Sequence, residues 1–239
     1  MKSLALARLL QLCSQALPVG GYSHSQGLES AIEREVVKDE ASVSRWIFDV
    51  FEFSMKSSEI PWLLSMGAAW GSDDRAATMS LNDEFLATRE SAELRAASVQ
   101  MGFSLRALLC VLPDLPAGTA LALSLIREPS WPCVWSATAA AWQIEPQQAA
   151  MGYLWTWAES QVLVAMKAVP IGQSAGQRVL LQMGRKIAEF ADNIDWSEFN
   201  ARGPLGEGPR SSELYSNFSP ALAILSSQHE TQYSRLFRS

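Results

Sequence analysis

Histidine, cysteine and charge are all scarce in this chain of 239 residues, and each scarcity removes a class of function. Only two histidines occur, His24 and His229, and no HxxxH, HExxH or Cys/His cluster is present. A permanent metal site of the zinc type needs such ligands at short spacing, so none is expected. The three cysteines, Cys13, Cys110 and Cys133, lie far apart among apolar neighbours. They offer neither a disulfide framework nor a CxxC pair, and read as buried free thiols of a reducing compartment. Charged residues make up 18%, against about 25% in an ordinary soluble domain. Within the net charge of −6, most of the acidic excess falls between Glu29 and Glu59, with eight acids against four bases. No cluster of Lys and Arg provides a nucleic-acid footprint. Long apolar runs are missing as well. The uncharged stretch Pro129 to Ile144 carries two prolines and is too short to span a bilayer. A single Lys followed by an apolar run broken by Arg8 makes no signal-peptide core. The expected location is the cytoplasm, with no membrane and no nucleic acid as partner.

What is abundant is apolar and helical. Nine tryptophans and few charges require a large core or a contact with other subunits, which suggests an oligomer or a member of a complex. After Asp39, a candidate N-cap, the residues Val43, Trp46, Ile47, Val50, Phe51 and Met55 recur at steps of three and four. That spacing predicts one apolar face of an amphipathic helix, which Pro61 then kinks or restarts. A second long helix is predicted from Asn82 to Leu112, with Gly102 as a bend. Pro113-Asp114-Leu115-Pro116 breaks the chain, and further helices fit Ala117 to Arg127, Ser130 to Gln143, Pro146 to Val169 and Gly172 to about Asp195. No segment shows sustained alternation of apolar and polar residues, and no Asn-Gly or Asp-Gly hairpin signal occurs. The fold class is all-α: a single-domain bundle of about eight to ten helices over 1–239. Three Gly and two Pro between Asn200 and Ser212 predict a flexible loop ahead of the C-terminal segment.

Catalytic motifs fail on inspection. Gly21-Tyr22-Ser23-His24-Ser25 misses the final Gly of a GxSxG nucleophile elbow and has helical flanks. Ser23 reads better as a helix cap, with Gln26 completing a capping box. Gly172-Gln173-Ser174-Ala175-Gly176-Gln177-Arg178 lacks the GK[ST] ending of a phosphate loop, so no nucleotide site of this chain's own is expected. It reads as a tight turn between helices, where Lys167 either caps the preceding helix or points at a charged group of a partner. A hydrolase using Ser23 and His24 remains open as a rival, and so does a transient metal contact at His24 or at a cysteine.

The last eleven residues, His229-Glu230-Thr231-Gln232-Tyr233-Ser234-Arg235-Leu236-Phe237-Arg238-Ser239, hold two aromatics, a Leu and two arginines. A terminal segment is usually polar and loose unless something ties it down. Tyr and Arg are also the residue types that anchor interfaces. Composition leaves two readings open: a segment folded back on its own core, or a tail gripped by a partner.

Three blocks bear on that choice: Leu9 to Glu29 (LLQLCSQALPVGGYSHSQGLE), Ala168 to Gln173 (AVPIGQ) and the closing HETQYSRLFRS. Their order, spacing and wording resemble the urease accessory proteins of the UreF family over essentially the whole chain. Gln15 and Gln228 depart from the wording common in that family. The resemblance implies an all-helical, dimer-forming protein without cofactor or catalysis of its own. Its implied partners are UreD (also called UreH), the P-loop GTPase UreG and apo-urease, in a complex that lets nickel enter the urease site. By position, 229–239 is implied to dock UreD, with His229, Tyr233, Arg235, Leu236, Phe237 and Arg238 as contacts. Pro18, Tyr22, His24, Lys167 and Gln173 are implied to face UreG. Activation of UreG's GTPase is the alternative role, and a nickel carrier using His24 is the further one.

Overall fold

The computed structural model describes residues 2–194 and 215–237, and all their regular structure is helical. In chain order the helices are α1 (Ser3–Leu12), α2 (Leu28–Glu33), α3 (Glu40–Val50), α4 (Ile60–Gly71), α5 (Arg75–Ala87), α6 (Ala92–Leu109), α7 (Ala117–Leu125), α8 (Trp131–Ala141), α9 (Pro146–Ala168), α10 (Gln173–Asn193) and α11 (Pro220–His229). The loop expected at 200–212 and the end of the predicted helix at Asp195 lie outside the described residues. No described helix is long and apolar enough to cross a membrane.

Local signals set several of these elements. The Asp39 carboxylate accepts the Ser42 N–H at 2.8 Å while Ser42 Oγ accepts the Asp39 N–H at 3.0 Å, so α3 starts on a reciprocal cap. α9 begins at Pro146, whose missing N–H would have had no helical partner at that position. Elsewhere tertiary contacts override the pattern. The long helix predicted from Asn82 to Leu112 is two helices, parted at Thr88–Ser91. Thr88 Oγ1 bonds the Phe85 carbonyl at 2.7 Å and closes α5, and Ser91 Oγ accepts the Leu94 N–H at 3.1 Å and opens α6. Gly102 does not bend α6. A Cβ there would sit 2.0 Å from the Pro129 carbonyl oxygen, so this glycine lets the loop before α8 lie directly on the helix.

α9 is the central strut. It packs against α1, α2, α3, α4, α8 and α10, and thirteen of its 23 residues are buried. A helix apolar on nearly every side belongs in the middle of a fold. Trp135 of α8 is fully buried, donates its Nε1–H to the Ala149 carbonyl at 3.1 Å and meets Tyr153 edge-on at 5.4 Å. One continuous apolar core joins α1 to α11, from Ala5 and Leu12 to Leu225 and Phe237.

The helix predicted across Pro61 does continue, but not as a simple kink. Residues Phe51–Glu59 join α3 to α4 in the wider π form, each hydrogen bond spanning one residue more than in an α-helix. Glu59, at its end, is gripped from two sides. The Tyr153 hydroxyl donates to one carboxylate oxygen, and Arg89 Nη1 lies 3.2 Å from the other. Burial, and then the Glu59 charge beside it, hold the Tyr153 phenol well above the usual tyrosine range, so it stays a donor.

Candidate functional site

The opening block builds one wall of the site. Between α1 and α2 the chain runs through Gly20 and Gly27, both at positive φ (72° and 85°), where residues with a Cβ are disfavoured. A Cβ on Gly27 would also meet Leu222 and the Ser226 backbone of α11 at 3.3 Å. The capping box expected at Ser23 and Gln26 is absent. Ser23 Oγ turns back to the Gly20 carbonyl at 2.6 Å, and Gly27 stands at the start of α2. Gln26 instead reaches α9, where its Oε1 accepts the Trp157 Nε1–H at 2.9 Å. The loop is thereby pinned along the central strut. On it Pro18 and Tyr22 face solvent, while His24 is turned inside.

α2 then presents Glu29, only 5% exposed, as the focus of the C-terminal segment. Its Oε2 lies 2.9 Å from His229 Nε2 and accepts the Phe237 N–H at 3.1 Å, and its Oε1 accepts the Leu236 N–H at 2.6 Å. The other face of the His229 ring belongs to Glu93 in the first turn of α6, with Nδ1 2.5 Å from Oε2. Each ring nitrogen of His229 therefore has a carboxylate oxygen within hydrogen-bond distance. Arg235 Nη1 donates to the remaining Glu93 oxygen at 2.8 Å, and its Nη2 donates to the Glu230 carbonyl. Two carboxylates thus face one arginine, one imidazole and two backbone N–H groups. The His229 side chain is 0% exposed. A buried carboxylate is tolerable only when its oxygens are satisfied in this way.

α11 reinforces the clamp. Ser226 Oγ donates to Ser91 Oγ at 2.8 Å, and the Glu230 carboxylate accepts the Ala92 N–H at 3.0 Å, stabilising the free N-terminus of α6. Phe237 is buried against the core, and Lys167 Nζ at the end of α9 sits over its ring, 5.0 Å from the centroid.

Of the predicted site residues the structure brings His229, Arg235, Phe237 and Lys167 together. His229, Arg235 and Phe237, expected to meet a partner, are bound to the chain itself. Tyr233 and Leu236 face outward, fully exposed and 61% exposed respectively. Lys167 neither caps α9 nor stands alone, since it covers Phe237. Arg238 lies outside the described residues. Gln173 opens α10 beside a groove lined by Lys38, Glu40, Gly172 and Arg178, where Arg178 makes a two-pronged pair with Glu40 at 2.8 and 2.6 Å. Sequence reasoning missed Glu29 and Glu93. Glu29 stood in the opening block as an ordinary helix residue, and nothing around Glu93 marks it.

Among the described residues no group of three His, Cys, Asp or Glu side chains is arranged to hold a metal ion. Of the thiols, Cys133 is buried and Cys13 half-buried, and desolvation pushes them up to about 12 and about 11. Cys110, expected to be buried, is exposed, because it follows the end of α6 where the helix runs out to the surface.

The model of the UreF family matches residues 37–184. Similarity to individual proteins extends through both ends. The urease accessory protein UreF of Dechloromonas aromatica (strain RCB) is 51% identical over 237 residues, covering 99% of this chain and 98% of that protein. UreF of Azoarcus sp. (strain BH72) is 48% identical over 239 residues, covering 99% and 96%. UreF of Methylobacillus flagellatus is 43% identical over 241 residues, covering 100% and 99%. With the family matched across more than half the chain and relatives matched end to end, this protein belongs to the UreF family of urease accessory proteins.

Proposed function

We propose that this chain is a non-catalytic scaffold of urease maturation in the cytoplasm. It docks UreD through the outward side of its clamped tail and offers the opening loop and the end of α9 to the GTPase UreG. Nickel then reaches apo-urease under control of the nucleotide state of UreG. The chain works as a dimer within that complex. One observation carries the reading. The opening and closing blocks of the family resemblance, remote in the chain, meet at Glu29, His229 and Phe237, and Lys167, the residue just before the middle block, covers Phe237. A fold that needed only a stable terminus would have no use for a fully exposed Tyr233 and a largely exposed Leu236 on that same segment.

Activation of UreG by an inserted arginine is less well supported, because such a finger must be free to reach the phosphoryl group. Arg235 is engaged with Glu93 and Arg178 with Glu40. Population control, in which this protein favours one nucleotide state of UreG by differential contacts, fits better.

Co-purification tests the proposal. The double variant Tyr233→Ala/Leu236→Ala is expected to keep its thermal midpoint and lose UreD. Lys167→Ala is expected to keep UreD and lose productive coupling to UreG, read as urease activation. Full UreD capture by the first variant, or normal activation with the second, rejects the corresponding assignment.

A further inference from the structure

From Phe51 to Glu59 the helix runs in the π register, and the Ile60 N–H bonds the Met55 carbonyl five residues back. π turns are rare, occur mostly as single turns and gather at functional sites. Three observations meet in this segment. Pro61 follows it, and in an α register the proline ring would press on the Ser57 carbonyl four residues earlier. The hydroxyls of Ser57 and Ser58 are buried without a hydrogen-bond partner. A serine or threonine inside an α-helix commonly bonds the carbonyl four residues back, as Thr138 does to Val134 at 2.7 Å and Thr156 to Gly152 at 2.9 Å. Finally, Glu59 is clamped between Tyr153 and Arg89, with the Arg89 and Glu59 side chains only 5% and 14% exposed. The two hydroxyls would gain partners in the α register, and the clamp and proline hold the π register against them.

We propose that residues 51–59 are a two-register switch, held wide by the Glu59 clamp and able to slip to the α register when that clamp is loosened. A one-residue slip turns the attached helix surface by about 100°. It would re-aim Phe51, now edge-on to Phe190 at 6.3 Å, and Lys56, now paired with Glu52 at 2.9 Å. The groove of about 590 Å³ between this segment and α10 would change shape with them. At its other end the switch touches the opening loop. Gly21 and Gln26 line the same small internal cavity as Glu59 and Tyr153. A partner that moves that loop bears directly on the clamp. The switch stands on this chain alone, and its coupling to UreG rests on the function proposed above.

Amide hydrogen exchange on the full chain separates the two. In Glu59→Ala, exchange across 51–59 is expected to rise about tenfold or more relative to α9, the effect of losing clamp bonds to a charged group. Glu59→Gln, which keeps an acceptor for Tyr153, is expected to fall between. Deleting Ser57 restores α spacing. That variant is expected to fold with full helicity and to make exchange in the segment insensitive to Glu59→Ala. Unchanged exchange in both Glu59 variants overturns the switch, and so does a Ser57 deletion that fails to fold, because the α register is then inaccessible. If the exchange results hold and the deletion variant still captures UreG as the parent does, the coupling to UreG is rejected and the switch remains.

Discussion

α9 and the C-terminal tail meet where Lys167 covers Phe237, yet different forces hold them. α9 is buried along thirteen of its residues and is fixed by close packing from six other helices, so nothing short of unfolding moves it. Residues 230–237 bury one large side chain, Phe237, and otherwise depend on the carboxylates of Glu29 and Glu93. Polar clamps of this kind are directional and few, so a partner can read or rearrange what they hold. A rigid strut that positions a conditional tail suits the proposed scaffold role, because binding elements come from the less stable part of a fold.

Substitutions on the two sides of this contrast should separate by size. Leu154→Ala, in the fully buried face of α9, is expected to cost about 2–5 kcal/mol in urea unfolding, since the packed surroundings cannot collapse into the gap. Glu29→Gln is expected to cost about 1–3 kcal/mol, because its amide N–H₂ faces groups that are themselves donors. The loss should be concentrated in the tail, read as faster exchange at the Leu236 and Phe237 amides with α9 unchanged. Tyr233→Ala is expected to stay within about 0.5 kcal/mol of the parent, since the side chain touches little. A large loss there would show that the outward face of the tail is structural after all. The mildest probe is chemical. Native protein treated with iodoacetamide near neutral pH is expected to be modified at exposed Cys110. Cys13 and Cys133, desolvated and held as thiols, should react only after denaturation.

Short-range chemistry was readable from the sequence. The Asp39 cap, Pro146 at the first turn of α9 and the turn at Pro170-Ile171-Gly172 all follow from neighbours within a few residues. What was hidden depends on distant parts of the chain. The apolar spacing from Val43 to Met55 looks alike for an α-helix and for one that widens after Val50, and the clamp that favours widening comes from Arg89 and Tyr153. The break at Thr88–Ser91 is tied to α11 through Ser226, 135 positions away. In the tail, composition named the residues and left their direction open. Glu29 and Glu93 decide it, and a lone glutamate on a helix carries no local sign that it will meet a histidine 200 or 136 positions later. The structure bears out a segment folded back on its own core through His229, Arg235 and Phe237, while Tyr233 and Leu236 stay exposed.

The most direct test is to capture UreD with full-length Glu29→Gln. Glu29 is buried and cannot touch a partner, so its only route to binding is through the pose of the tail. The variant is expected to keep the helical circular dichroism of the parent while capture of UreD is lost. Parent-level capture of UreD would contradict the claim that the clamped tail forms the docking surface.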